Sequence, residues 1–176
     1  MARFVTLFAV ILVALFAAEL TPPMQRALVI PWTEALVRIS AALATLVDPN
    51  VAAAGRILQS TTNGFAISIE AGCNGLEAAL VLIAAMMAFP APAKHRVIGI
   101  VAGLAGVQAL NVVRVISLFY LGQWSPGAFE WAHLYVWQAL IMLDVLVIWL
   151  VWTRLLPPSG RSAMRAPGVG SRMAAP

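Results

Sequence analysis

Three side chains of this 176-residue chain have the types needed to act together on an acyl group: Cys73, Arg114 and His133. Cys73 is the only cysteine. It lies in the stretch Ile67-Ser68-Ile69-Glu70-Ala71-Gly72-Cys73-Asn74-Gly75-Leu76-Glu77, where a short polar segment ends and an apolar helix is expected to begin. A helix N-terminus offers unpaired backbone N–H groups and a partial positive charge, which favour an anionic nucleophile. Gly72 and Gly75 allow a sharp turn and a close approach of the backbone. Arg114 sits inside a long apolar run, where a charge is costly and needs a partner or a task. His133 opens the last apolar run. A thiol can attack a carbonyl and form a thioester, an imidazole can take or give the proton, and a guanidinium can stabilise developing negative charge or donate a proton. Each residue also has a plainer reading. A lone cysteine is often a small packing group; an intramembrane arginine can be one half of a structural ion pair; a histidine at a helix start can simply face an interface.

Composition bounds the elements that must position these groups. The chain is 62% hydrophobic and 10% charged, against about 45–50% and about 25% in globular domains. That excludes a soluble domain and implies an all-α polytopic membrane protein folded as one bundle. A single cysteine forms no internal disulfide and argues against a thiol–disulfide oxidoreductase, which needs a pair.

About four transmembrane helices are expected: Phe4 to Leu20, Gly75 to Phe89, Val97 to Leu121, and His133 to about Leu156. The first has a basic start and small residues near Ala17-Ala18, as a signal peptide would, but a retained anchor suits a chain that is membrane-embedded throughout. Leu28 to Val47 reads as an amphipathic interfacial helix, with Glu34 and Arg38 paired on one face and Leu36, Val37, Ile39, Leu43 and Leu46 on the other. A fifth span is the alternative there. Arg56–Ser60 and Phe65–Ile69 flank Thr61-Thr62-Asn63-Gly64, the pattern of a small extracytoplasmic β-hairpin. Residues 1–156 then form a single membrane-embedded domain. Residues 157–176, rich in Pro, Gly, Ser and Arg, form a disordered basic cytoplasmic tail.

Charge orients the spans. One side holds Arg3, Lys94, Arg96, Arg154, Arg161, Arg165 and Arg172 and no acid. The other holds Glu19, Glu34, Asp48, Glu70 and Glu130 against Arg26, Arg38 and Arg56. The positive-inside rule makes the first side cytoplasmic, with both termini there. Cys73, Arg114 and His133 then fall together in or just above the outer leaflet, with Arg114 roughly 12 Å below the outer end of its helix. His95 lies on the opposite side, which weakens any His/His/Cys metal site. Asp144 and Glu77 are the expected partners of Arg114, and Asn111 shares its helix face. Asn74, next to the thiol, completes the candidate supporting residues. Trp124, Trp131, Tyr135 and Trp137, with Tyr120, suit an interfacial aromatic belt.

Ala71-Gly72-Cys73-Asn74-Gly75-Leu76-Glu77, Asn111-Val112-Val113-Arg114-Val115 and His133 together resemble the exosortase/archaeosortase family. The resemblance covers roughly residues 4–156. Leu20-Thr21-Pro22-Pro23 and Ser117-Leu118-Phe119-Tyr120-Leu121-Gly122-Gln123-Trp124 resemble the compact exosortase H subgroup. The chain departs from many members in having Asn74 where they have Ser, and in lacking part of their bundle of about eight spans. The resemblance implies a multi-pass protein of the bacterial cytoplasmic membrane, a cysteine protease or transpeptidase with its active site facing outward. Its partners would be membrane lipid and exported proteins carrying a C-terminal sorting signal made of a short motif, a transmembrane helix and a basic cluster. The protein would be cleaved there and passed to a surface acceptor, with Cys73 as the thioester nucleophile and Arg114 and His133 sharing proton transfer and charge stabilisation. No cofactor, metal or nucleic acid is expected. The competing reading is a non-enzymatic membrane scaffold or carrier subunit, with Arg114 in a structural ion pair.

Overall fold

The computed structural model describes residues 2–157, so all of the expected disordered tail except Pro157 lies outside the described residues. Five helices and a small sheet follow in order: α1 (Ala2–Glu19), α2 (Pro22–Ala44), β1 (Val51–Ala54), β2 (Ile57–Ser60), β3 (Ala66–Ser68), α3 (Leu76–Ala88), α4 (Ala93–Trp124) and α5 (Pro126–Leu155). Prolines punctuate the chain. Thr21 is extended (φ −71°, ψ 141°), as the residue before a proline prefers, and Pro22 opens the next helix. Phe89 and Pro92 are likewise extended around Pro90-Ala91-Pro92. Ser125 caps α5, its Oγ accepting from the Ala128 N–H at 3.3 Å.

Four helices are long and apolar enough to cross a membrane: α1, α2, α4 and α5. The expected span at Gly75–Phe89 is the short α3, with 13 residues, or about 20 Å against the ~30 Å of a hydrocarbon core. It packs among α1, α4 and α5, and Leu82, Ala84 and Met86 are fully buried. A helix surrounded by protein need not match the bilayer's thickness, because its ends can be satisfied by its neighbours. The 32-residue α4, about 48 Å long, is longer than the ~30 Å hydrocarbon core, so part of it extends outside that layer.

The segment expected as an interfacial helix is α2, and two details of that expectation change. The buried face is Thr33, Leu36, Val37, Ser40, Ala41 and Ala44, while Ile39, Leu43 and Leu46 are 47%, 47% and 81% exposed. Small residues let α2 lie close on β1 and on Val115 and Phe119 of α4, and that contact sets its rotation. Glu34 and Arg38 do not pair. Among the described residues the one ion pair is Arg56–Glu70, at 2.8 Å.

The expected hairpin exists as β2–β3, with Gly64 at φ +73° in its loop, and gains β1 as a third strand. The sheet is antiparallel, with Ile57 opposite Ser68, Leu58 opposite Ile67 and Ala54 opposite Ile57. Its inner face, including Leu58, packs on α2 and α4. Phe65 lies against Phe119, with ring centroids 5.9 Å apart. A second core holds Leu82, Met86, Phe89, Val107, Ile141, Val145 and Trp152 inside the helical bundle. At one end of that bundle Phe4, Phe89, Trp149 and Trp152 meet, and Trp152 Nε1 donates to the His95 carbonyl at 3.1 Å. At the other end the sheet and the Cys73 loop cover it.

Candidate active site

Backbone chemistry fixes the Cys73 loop before any side chain is considered. The Ile69 N–H donates to the Arg56 carbonyl at 2.9 Å, tying the loop's start to the sheet. The Cys73 N–H then closes a turn onto the Glu70 carbonyl at 3.0 Å. Gly72 and Gly75 have φ of +87° and +75°, a region that side chains with a Cβ rarely adopt. Cys73 therefore stands three residues ahead of α3 rather than in its first turn.

Asn74 holds the loop from the inside. It is fully buried. Its Oδ1 accepts from the Leu76 N–H at 3.0 Å, its Nδ2 donates to Thr33 Oγ1 at 3.0 Å, and its carbonyl accepts from Trp32 Nε1 at 3.3 Å. Every one of these bonds ties the thiol's neighbour to α2 or α3. On the other flank, Gln108 Nε2 donates to the Gly75 carbonyl at 3.2 Å. A methyl group at position 75 would come within 3.0 Å of Asn111 Nδ2 and 3.1 Å of Gln108 Nε2. Gly75 thus lets α4 approach the loop closely, and Arg114 is one helical turn beyond Asn111.

Arg114 is 3% exposed and reaches the thiol, with Nη2 3.7 Å from Cys73 Sγ. From the far side, His133 Nε2 lies 3.9 Å from the same sulfur. His133 sits in a π-helical turn, Ala132–Val136. Such turns rotate side chains out of the ordinary helical register and concentrate at functional sites. The imidazole stacks on Phe129, with centroids 5.6 Å apart and planes 3° apart. Its Nδ1 is buried without a protein partner, so aromatic stacking, not a carboxylate, orients the ring.

Three residues separated by up to sixty positions thus converge on one sulfur, which lies beside the core of α2, the sheet and α4. The expected partners of Arg114 behave otherwise. Neither Asp144 nor Glu77 forms an ion pair with it. Glu77 Oε1 instead accepts from the Gly72 N–H at 2.5 Å, bracing the loop. Asp144 lies farther along α5 at a partly buried site. Equal depth in the membrane made these pairs plausible, and depth says nothing about lateral direction. Asn111 is fully buried beside Gly75, and both of its amide atoms lack a hydrogen-bond partner. Trp124, Trp131 and Tyr135 are exposed as a belt requires, but Trp137 is 9% exposed and packs with Leu118 and Ala132.

Thr33, Gln108 and Phe129 were not anticipated. Two of them left a trace in the sequence. Gln108, Asn111 and Arg114 recur every three residues on one helix face, and Phe129 stands four before His133. Thr33 could be found only from the fold.

A family model of transmembrane exosortases (Exosortase_EpsH) matches residues 2–152. No curated protein and no solved structure matches the chain.

Proposed function

Because the chain belongs to the transmembrane exosortase family, we propose that it is a cysteine transpeptidase that cuts a C-terminal sorting signal from exported proteins at an outward-facing site. Family membership implies a sortase-like transpeptidase role in general; the residues and steps below are our reading. What supports it most is one geometric fact, that a guanidinium and an imidazole both lie within 4 Å of the sole thiol.

Roles follow from chemistry. A guanidinium stays protonated in proteins, so Arg114 is the charge stabiliser and His133 the proton carrier. His133 takes the thiol proton as the sulfur attacks the scissile carbonyl. The oxyanion that forms is stabilised by Arg114. The C–N bond then breaks, His133 returns its proton to the departing amine, and the acyl group remains on Cys73 as a thioester. An acceptor hydroxyl or amine, or water, gives a proton to His133 and attacks the thioester carbonyl; the C–S bond breaks, and the departing sulfur takes that proton back from His133 as the thiol. Arg114 lies against the sulfur, so the negative charge that develops on the sulfur and then on the carbonyl oxygen forms beside a fixed cation.

The test follows a tagged exported substrate co-produced with the enzyme. Cys73→Ala is expected to leave the precursor uncut while the membrane protein accumulates normally. Undiminished processing by that variant would end the proposal.

A further inference from the structure

The terminal strand of the sheet runs directly into the loop that carries the nucleophile. β3 is the terminal strand of the order β1-β2-β3. Two bonds fix which of its groups face β2: the Ile69 N–H donates to Arg56, and the Phe65 carbonyl accepts from the Ser60 N–H at 2.8 Å. In an antiparallel ladder such residues alternate with residues whose groups point away. Phe65, Ile67 and Ile69 therefore face β2, while the N–H and C=O of Ala66 and Ser68 point outward along the free edge. Both residues are exposed. No other described residue takes these groups as a hydrogen-bond partner.

Natural edges are often blunted by lysine, proline or a bulge. β3 has neither residue, and its register against β2 is unbroken. Its outward residues are small, and the Ser68 hydroxyl is drawn aside onto Glu70 Oε1 at 2.6 Å. Cys73 lies five residues beyond Ser68, past the turn closed at Glu70. A strand rises about 3.3 Å per residue, so a handful of extended residues spans from this edge to the sulfur.

We propose that β3 is the substrate-docking edge: an extended segment of the exported protein, adjoining its scissile bond, adds to the sheet as a fourth strand through the outward N–H and C=O of Ala66 and Ser68. This rests on the transpeptidase reading of Cys73. The occupant is a peptide backbone because the unpaired groups repeat every two residues, the pitch at which another strand presents complementary groups. Pairing also holds the segment extended, which exposes its carbonyl to the thiol.

Two measurements test it. Proline at an outward-facing edge position removes one donor without breaking a ladder bond. Ser68→Pro should raise KM about three- to tenfold, the usual weight of one or two hydrogen bonds, while a small thiol reagent labels Cys73 at the wild-type rate. Wild-type cleavage by Ser68→Pro would overturn the proposal. The second measurement needs no cleavage. Binding of substrate peptides N-methylated at successive positions is measured on the Cys73→Ala protein. Weakened binding at every second position is expected, and uniform tolerance overturns the docking edge even if Ser68→Pro disturbs the fold. If the alternation is found while Cys73→Ala still cuts substrate, the transpeptidase reading has failed and the docking edge has not.

Discussion

Asn74 sets the place of the sulfur more than any residue that touches it. Its amide joins α2, through Thr33, to the first N–H of α3, and it does so fully buried. Replacing it by alanine would leave the Leu76 N–H without its acceptor and leave Thr33 Oγ1 only its bond to the Val29 carbonyl, at a cost of about 1–3 kcal/mol. Asn74→Ala is therefore expected to lower the unfolding midpoint in detergent and to impair cleavage. An Asn74→Ala protein as stable as wild type would show that the buried bonds do not hold the loop. His133 teaches a related lesson. It lies within a π-helical turn and stacks on Phe129, so ring orientation rests on stacking. Phe129→Ala is expected to slow thioester formation at least severalfold, read as the single-turnover rate, with little effect on stability, since position 129 is only partly buried.

Among the elements, the long α4 is the ruler. Its first half meets α5 inside the bundle, and its second half meets α2 and the sheet. Gly99 and Gly103 make the first contact possible. A Cβ at Gly99 would collide with the Trp152 indole, and one at Gly103 with Leu82. Small residues at helix crossings allow the close backbone approach on which packing inside a membrane depends. Gly99→Val is expected to destabilise the protein by about 1–3 kcal/mol through overpacking. It would displace Trp152 from the His95 carbonyl and leave the thiol chemistry of the remaining folded protein nearly unchanged. Thermal unfolding together with Cys73 labelling separates the two effects.

Over the whole molecule, basic charge unopposed by acids gathers at one end. Arg3, Lys94, Arg96 and Arg154 gather where Phe4, Phe89 and Trp152 meet. At the end that holds the Cys73 loop, Glu19, Glu70 and Glu77 are accompanied by Arg56, which pairs with Glu70. We propose, from the positive-inside rule, that the basic end faces the cytoplasm. A membrane-impermeant thiol reagent is then expected to modify Cys73 from outside intact cells. With Cys73→Ala as background, Lys94→Cys should react only after the cells are opened. Labelling of position 94 in intact cells would reverse the orientation.

Membrane class, the succession of apolar runs, the turn at Asn63-Gly64 and the layer shared by Cys73, Arg114 and His133 could all be read from the residues. Each depends on composition, local propensity or distance along a helix, quantities that one strand of sequence carries. The rotation of α2, the third strand, the shortness of α3 and the absence of an Arg114 pair with Asp144 or Glu77 were settled by packing. Which face of a helix meets which neighbour depends on how the lack of a Cβ at Gly75, Gly99 and Gly103 lets neighbours close on one another. Depth in the bilayer follows from counting residues; direction around a helix axis is decided by what stands beside it.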